Sequence, residues 1–333
     1  MSVPVPHIIA MASDAISGMY RFTIPIRALI HRGAATGNVY IGTTHQMEIA
    51  PRSPVLLQRQ LGLPAAVITA LKMHGCRIVH DLDDLLWAIP DDNPNALSFT
   101  SEMLATMDGQ LAAADVVTVS TEPLAEALRT RGYEPVVLPN VLDPLDWTVQ
   151  PRRAVRSKPR IGWYGQRSVH RADLALIEAL VRAVIDEADF VFLGDVPNEL
   201  ADLASRVRSF SAVPLPLFPA MLAALDLDLM LAPLAANAFN ECKSNLRLLQ
   251  AGMLGYPVVA SDIEPHRALP VTRVAQTPAA WIAAVRDRVH DPGALRREGE
   301  TLRRAVHAGF LVHDWVDRYL DGWGGRTAVP VHA

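Results

Sequence analysis

The amino-acid sequence predicts an α/β protein made of two doubly wound, Rossmann-like domains that face each other across a cleft. Apolar, β-branched runs alternate with longer helix-like segments. These runs are continuous, which indicates parallel strands covered on both faces. A basic, proline-containing stretch, Pro151 to Arg160, interrupts the alternation, which then restarts. At 333 residues, 50% of them hydrophobic, the chain is long enough for two domains.

Each half of the chain contains six predicted strands. They are PHIIAMAS, NVYIGTT, PVLLQRQ, CRIVHDL, DVVTVST and EPVVLPN, followed by RIGWYGQ, DFVFLGD, RSFSAVP, LDLMLAPL, YPVVASD and TRVAQ. Helices are predicted at Leu56 to Met73, Phe99 to Ala114, Arg171 to Glu187, Pro219 to Leu225 and Ser244 to Leu254. The tail, LVHDWVDRYLDGW, predicts an amphipathic helix that packs back on a domain through Leu311, Trp315 and Tyr319. We therefore predict domains at residues 1–150 and 151–310, and a C-terminal helix and tail at 311–333.

Composition argues against several classes of function. A formal net charge of -4 gives no electrostatic reason to expect nucleic acid as a partner. No apolar run is long enough to span a bilayer, and no basic amphipathic helix is evident, so we expect at most peripheral membrane contact. The N-terminal MSVPVPHIIAMASD lacks a basic leader and is interpreted as a first strand of a cytoplasmic protein. Cys76 and Cys242, far apart in sequence, are expected to be reduced thiols.

The most informative segment is APLAANAFNECKSNLRLLQAGMLGYPVVASDIEPH, residues 232–266, which predicts a strand, a polar loop, a helix, a glycine turn and a strand. Ligands of open parallel sheets lie beyond the carboxyl ends of the strands. Ser244 or Asn245 could cap the helix. Its free N–H groups, its dipole and the Lys243 ammonium would then form an anion site suited to a diphosphate, within reach of Arg247 and Gln250. Ordinary capping of a surface helix is the alternative.

A second junction of strand and helix is GWYGQRSVHRAD, where the strand ends at Trp163. Gly165 allows the backbone to approach a ligand closely. Arg167 and His170 then bring cationic or hydrogen-bonding groups to the cleft, whereas Arg171 opens a helix and could simply be solvated.

A third junction is SDAISGMYRFTIP, directly after the first strand. Ser17 and Gly18 are expected to form a flexible turn into a helix that carries Arg21. A plain turn with Gly18 as its hinge is the alternative to a ligand-binding loop.

At these junctions the chain resembles a known family. FNECKSNLRLLQAGMLGYPVVASDI resembles the donor-binding segment of retaining glycosyltransferases of the GT-B fold, family 4-like. RIGWYGQRSVHRADL is similar to the start of their C-terminal nucleotide-sugar domain. VVTVSTEPLAEAL together with VLPNVLD is similar to the end of their N-terminal domain. DLDDLLWAIP is similar to a run that is common in the bacterial polysaccharide branch of these enzymes. The resemblance extends from about Ser17 to Asp262. It implies transfer of a hexose from a nucleoside diphosphate sugar, with retention, to a hydroxyl of a glycan or lipid-linked surface-polysaccharide precursor.

The resemblance also implies roles for particular residues. Arg167 and Lys243 would neutralise the departing diphosphate. The remaining donor-site residues would be Gly18, Gly165, His170, Asn240, Glu241, Ser244, Asn245 and Gln250. The family often carries two glutamates eight positions apart, the second of which clasps the ribose. This chain has Cys242 and Gln250 at these two positions, and Glu241 lies one position before the first of them. Gln250 keeps an oxygen that accepts hydrogen bonds but lacks the charge of a carboxylate.

The run HDLDD, residues 80–84, places three carboxylates within four positions, as a metal-binding Asp-x-Asp would. That motif belongs to the other large glycosyltransferase fold, which needs Mn²⁺ or Mg²⁺. Because cationic side chains and helix N–H groups already supply what a metal would, we predict no metal and no cofactor besides the donor. Arg21, His80, Asp81 and Asp84 are then expected on the sugar and acceptor side, and one of the aspartates is expected to cap the next helix. Asp83 would accept hydrogen bonds from sugar hydroxyls or act as base toward the acceptor.

Two other classes of function stay open at this stage. One is a catalytically weakened subunit that binds a nucleotide or sugar, favoured by Cys242 and Gln250. The other is a transferase that glycosylates a protein or a hydroxylated DNA base, against which the acidic balance counts mildly.

Overall fold

The computed structural model describes residues 5–42, 49–60 and 63–324, with all of their side chains except those of Ala65 and Arg167. Within these ranges the chain forms two parallel sheets of six strands each. The first sheet consists of β1 (His7–Ala12), β2 (Thr36–Ile41), β3 (Pro54–Gln58), β4 (Arg77–Leu82), β5 (Val116–Val119) and β6 (Val136–Val137), in the order β2-β1-β3-β4-β5-β6. The second consists of β7 (Arg160–Gly165), β8 (Asp189–Gly194), β9 (Val207–Phe210), β10 (Leu229–Ala232), β11 (Val258–Ser261) and β12 (Thr272–Val274), in the order β12-β11-β10-β7-β8-β9.

Helices cover both sheets. They are α1 (Ala15–Gly18), α2 (Ile24–His31), α3 (Ala65–Met73), α4 (Ser101–Ala113), α5 (Glu122–Arg129), α6 (Arg171–Val184), α7 (Phe218–Leu225), α8 (Ala238–Glu241), α9 (Leu246–Met253), α10 (Pro278–Val289), α11 (Pro292–Gly309) and α12 (Val316–Gly322). A π-helical turn, Met19–Thr23, joins α1 to α2. Short 3-10 turns occur at Leu86–Ala88, Pro94–Ser98, Pro144–Trp147, Arg167–Val169, Asn198–Leu203, Leu215–Leu217, Glu264–His266 and Val312–Asp314. No helix of the described ranges is long and apolar enough to cross a membrane.

The strand predictions are confirmed for all twelve apolar runs, although Thr43 and Thr44 of the second run lie outside the described residues. The helix predicted at Leu56 to Met73 starts later than expected. It begins at Ala65, because the chain up to Gln58 forms strand β3. The basic stretch after Pro151 is irregular but anchored. The Arg153 guanidinium donates to the carbonyls of Leu254 and Gly255 at 2.6 and 2.8 Å.

The C-terminal helix packs back on a domain, as predicted, and that domain is the first half of the chain. It begins at Val316 and not at Leu311, which forms a parallel bridge with Leu142. The Tyr319 hydroxyl donates to the Pro139 carbonyl at 2.6 Å, and the Trp323 ring meets Phe22 edge-on at a centroid distance of 6.2 Å. These aromatic side chains belong to a continuous apolar cluster that includes buried residues from both sheets. The C-terminal residues 325–333 lie outside the described residues.

Two glycines bring α11 close to α9, the helix with the predicted anion site. A Cβ on Gly299 would lie 2.1 Å from the Gly255 carbonyl oxygen, and one on Gly252 would lie 2.5 Å from Val306 Cγ2. Any larger residue would therefore push the two helices apart, which would move α9 relative to the cleft.

We expect Gly299→Ala to lower the free energy of unfolding by about 1–3 kcal/mol, because the added methyl group overlaps backbone that cannot yield locally. This loss opposes the gain of about 1 kcal/mol that alanine gives in a helix. Urea denaturation measures the change. Gly109→Ala is the matched control, since that glycine lies in α4 with open space around it, and it should be neutral or stabilising. Equal stability changes in the two variants would contradict the close approach.

Candidate active site

A cavity of about 840 Å³ opens where the carboxyl ends of the two sheets face each other. This volume is in the range of small-molecule binding sites. The first half contributes Ser17, Tyr20, Arg21, Asp83, Asp84 and Asn140, and the second contributes Gly165, His170, Gly194, Lys243, Ser244, Arg247 and Gln250, among others. The cavity therefore collects most of the residues that follow the strand ends.

One wall of the cavity is organised by the buried guanidinium of Arg21, which is 1% exposed. It donates to both carboxylate oxygens of Asp81, at 2.9 and 2.7 Å, to the Leu138 carbonyl at 2.5 Å and to the Asn140 side chain at 3.1 Å. Thr118 donates to the same carboxylate at 2.6 Å. Burial acts against the charge, yet the paired Asp81 raises the pKa of Arg21 above its usual range. Arg21 thus lines the cavity while its hydrogen bonds hold the first half together.

Two residues predicted on the sugar and acceptor side lie elsewhere. Asp81 is buried against Arg21, and His80 is buried with its Nε2 at 3.2 Å from Gln110 Oε1 on α4. Burial lowers the pKa of His80 to about 4, which keeps the ring neutral near pH 7. The physical reason for both differences is that β4 continues through Leu82, so only the residues after it lie beyond the strand end.

Asp83 and Asp84 follow β4 and both line the cavity. Asp84 Oδ1 lies 3.2 Å from Lys243 Nζ, and Asp83 Oδ1 lies 3.5 Å from Arg59 Nε. Burial opposes ionisation of Asp83, but the charges of Arg59 and Arg21 hold its pKa below the usual value. Neither aspartate caps a helix, because the following 3-10 turn has no side-chain cap.

Arg59 is absent from the sequence prediction. It directly follows β3 with a positive φ of 47°, and donates to Asp14 Oδ2 and Ser17 Oγ, both at 2.7 Å. A non-glycine residue in this backbone region is strained, which is frequent at functional sites. Its position just after a strand was the signal that could have revealed it.

Two paired glycines form part of the cavity wall at the ends of β7 and β8. Gly165 has φ +148°, and a Cβ there would lie 2.8 Å from the Trp163 ring. Gly194 has φ +112°, and its Cβ would lie 2.1 Å from the Gly165 carbonyl oxygen. The sequence predicted Gly165 as a donor-site residue but missed Gly194, although the run DFVFLGD also has a glycine at the end of its strand. Backbone in this wall is thus open to close approach by a ligand.

His170 lies beside these glycines and lines the cavity. Its Nδ1 is 2.7 Å from Asp173 Oδ2, and its ring meets Trp163 edge-on. Burial lowers the pKa of His170, although the hydrogen bond with Asp173 acts in the opposite direction.

The start of α9 presents two cations to the cavity. Besides Lys243, the Arg247 guanidinium lies 4.8 Å from the Tyr164 ring centroid, and its buried Nη1 has no hydrogen-bond partner. Neither Ser244 nor Asn245 caps the helix, because Asn245 at the N-cap position makes no side-chain capping bond. A cationic side chain with an unused buried donor is the arrangement that an anion would complete.

Gln250 is held at both ends of its amide. Its Nε2 donates to the Tyr20 hydroxyl at 2.7 Å, and its Oε1 accepts a hydrogen bond from the Tyr164 hydroxyl. Burial raises the pKa of Tyr20 to about 12 and also raises the pKa of Tyr164, so both hydroxyls keep their protons.

Several predicted donor residues do not line the cavity. Asn240 donates to Asp173 Oδ1 at 3.2 Å, and Glu241 accepts from the Glu264 N–H at 2.9 Å, so both brace neighbouring loops. Asn245 is absent from the lining as well. The side chain of Arg167 lies outside the described part of the chain, and its backbone forms the 3-10 turn after β7.

The expected flexible turn at Gly18 is instead helical. Its φ is -59°, and the Asp14 side chain accepts from the Ser17 N–H at 2.8 Å, which starts α1 early. A Cβ at Gly18 would lie 2.5 Å from Ala12 Cβ. This glycine therefore serves close packing of α1 on β1 and does not reach the cavity.

The two halves are bonded to each other across the cleft. Polar links between described residues around the cavity are Gln250 to Tyr20, Asn140 to Ser244 at 2.9 Å, Lys243 to Asp84, and Thr121 to the Cys242 carbonyl at 2.7 Å. Cys242 is a buried free thiol that packs with Leu82 and Leu124 of the first half. Burial raises the pKa of this thiol to about 11. The cavity walls are thus linked to each other at several points.

Among the described side chains, no group of three or more His, Cys, Asp or Glu residues is arranged to hold a metal ion. Asp83 and Asp84 instead face Arg59 and Lys243.

Comparison with known proteins identifies the fold. No protein-family model matches the sequence, and no curated protein matches it. Alr3699/HepE of Anabaena, solved with UDP and glucose, is 13% identical with a TM-score of 0.67, covering 95% of this chain and 99% of that one. A glycosyltransferase of Rickettsia africae is 12% identical with a TM-score of 0.66, covering 95% of this chain and 98% of that one. A UDP-forming α,α-trehalose-phosphate synthase of Burkholderia xenovorans is 12% identical with a TM-score of 0.64, covering 96% of this chain and 99% of that one. The chain therefore has the predicted two-domain GT-B fold.

We expect Asp81→Asn to lower the free energy of unfolding by about 3–5 kcal/mol, because it leaves the buried Arg21 charge without its carboxylate. Chemical denaturation measures this loss. The control is Asp186→Asn, which makes the same substitution in the exposed ion pair with Arg206 and should leave stability almost unchanged. The account of the cavity wall is wrong if the two substitutions cost the same.

Proposed function

We propose that the protein is a retaining glycosyltransferase that binds a nucleoside diphosphate sugar in the cleft and transfers its hexose to a hydroxyl acceptor. The observation that carries this proposal is the pair of cations at the start of α9, Lys243 and Arg247, both of which line the cavity. A departing diphosphate gains negative charge, and fixed cations stabilise that charge where it develops. We further propose Arg167, in the turn after β7, as a third cation for the same group.

The rest of the cavity suits the other parts of such a donor. One region is lined by Leu193, Val213, Leu215 and Phe218, whose apolar surface suits a nucleobase. Gly165 and Gly194 let the phosphates or sugar contact backbone. The UDP present with HepE, and the UDP released by the trehalose-phosphate synthase according to its name, support a nucleoside diphosphate as the ligand.

Gln250 occupies the place where the family carries a ribose-binding glutamate. Because its amide is bound at both ends by Tyr20 and Tyr164, we propose that the three side chains contact the donor together. A neutral group here gives up the charge-assisted bonds that a carboxylate makes to two hydroxyls. The same observation favours a second candidate function, a subunit that binds the nucleotide sugar without turnover.

The reaction that we propose is a front-face substitution in which the departing diphosphate takes the acceptor proton. Lys243 and Arg247 hold this leaving group. Asp83, kept ionised by Arg59 and Arg21, is a hydrogen-bond acceptor for a hydroxyl of the sugar or the acceptor. Its lowered pKa makes it a weak base, so we assign it to positioning. Closure of the two halves over the donor would exclude water and limit hydrolysis.

We propose that donor binding needs no metal, because Lys243 and Arg247, which line the cavity, supply the positive charge that a metal would. The proposed acceptor is a glycan or a lipid-linked precursor of a surface polysaccharide. The proposed location is the cytoplasm, with at most peripheral contact with the membrane.

We expect one of the UDP-, GDP- or dTDP-sugars to bind in EDTA, with an affinity that Mn²⁺ leaves unchanged, in calorimetric titrations of the purified protein. Lys243→Met should weaken this binding roughly tenfold or more, as loss of a charged hydrogen-bond partner does. Lys158→Met, at an exposed lysine of the stretch between the sheets, is the control and should bind normally.

Binding that requires Mn²⁺ would make Asp83 and Asp84 a metal site and contradict the proposal. Failure of every donor to bind in both conditions would reject the donor site. Tight binding without transfer or hydrolysis of the sugar would identify the non-catalytic subunit instead.

A further inference from the structure

The ammonium group of Lys243 has two partners within the protein itself. It lies 3.2 Å from Asp84 Oδ1, and 4.2 Å from the centroid of the Phe239 ring. Lys243 belongs to the loop before α9, whereas Asp84 follows β4, so this ion pair joins the two halves inside the cavity. Each side chain is 24% exposed, which leaves both accessible to a ligand.

The two neighbouring aspartates differ in what compensates their charge. Asp83 faces Arg59, with an additional contribution from Arg21. Asp84 forms its salt bridge, within the described ranges, with Lys243. Lys243 contacts Asp84 directly, whereas its charge acts on Asp83 only after those of Arg59 and Arg21.

We propose that the Asp84 carboxylate occupies the position beside Lys243 that a donor phosphate takes, and that an incoming diphosphate displaces it from Lys243. This inference rests on the proposed function, because it concerns the same anion site. A diphosphate carries more charge than a carboxylate, and it also reaches Arg247, whose buried Nη1 has no partner. The exchange is therefore favourable for the ligand, but each binding event must first break the ion pair.

The exchange also orders the binding of the two substrates. Once Lys243 holds the diphosphate, the Asp84 carboxylate is released beside Asp83 on the same wall of the cavity. A second carboxylate, that of Asp84, then becomes available to acceptor hydroxyls only when the donor is present. Asp84 is thus a positioning residue that acts through Lys243, and the acceptor binds after the donor.

The test compares the native protein with Asp84→Asn and Asp195→Asn in calorimetric titrations with inorganic pyrophosphate and with UDP, GDP and dTDP. Asp195 also lines the cavity, so its substitution removes the same charge without touching the Lys243 ion pair. We expect Asp84→Asn to bind pyrophosphate and the preferred nucleotide about five- to tenfold more tightly. Asp195→Asn should give a clearly smaller gain in both affinities, because it removes a charge from the cavity without freeing a cation. In a Lys243→Met background, Asp84→Asn should give no gain.

Unchanged or weaker binding by Asp84→Asn overturns the inference, and so does an equal gain in Asp195→Asn. In both cases the proposed function is still supported if the native protein binds a nucleotide. A gain for pyrophosphate with no nucleotide bound by any protein supports the ion exchange and rejects the proposed function. Absence of all binding rejects both. Thermal unfolding of each variant verifies that it is folded.

Discussion

The buried guanidinium of Arg21 is the interaction on which the cleft depends. It ties the segment after β1 to Asp81 of β4 and to the Leu138 carbonyl, and it also donates to Asn140. Asn140 in turn donates to Ser244 at the start of α9, so a chain of hydrogen bonds runs from the core of one half to the anion site of the other. A buried charge is tolerated only while its partners stay in place. The wall of the cavity is therefore preorganised before any ligand enters.

The sequence was informative about strands because parallel strands covered on both faces must be apolar throughout. All twelve runs form strands, and the C-terminal helix packs back through Tyr319, as its apolar face predicted. Helix boundaries were less certain. The start of α3 depends on where β3 releases the chain, and the early start of α1 depends on the Asp14 cap. Domain limits at residues 150 and 310 stay a prediction.

Within the site, the position of a residue relative to a strand end decided how well it could be predicted. Gly165 ends a strand, Asp83 and Asp84 follow one, and all three line the cavity. His80 was misplaced because β4 continues through Leu82, so His80 lies within the strand and contacts Gln110 of α4. Arg59 and Gly194 both stand at strand ends, but their contacts come from other parts of the chain: Arg59 pairs with Asp14 and Asp83, and Gly194 lies against the Gly165 carbonyl. Periodicity carries no information about such contacts.

The central claim is that side chains, and not a metal ion, hold the diphosphate of the donor. A crystal structure of the protein with its preferred nucleoside diphosphate, grown in the presence of Mn²⁺, tests this most directly. The account predicts both phosphate groups in hydrogen-bond contact with Lys243 and Arg247, with no metal between the phosphates and the carboxylates after β4. A Mn²⁺ ion that bridges the diphosphate to Asp83 or Asp84 would contradict it.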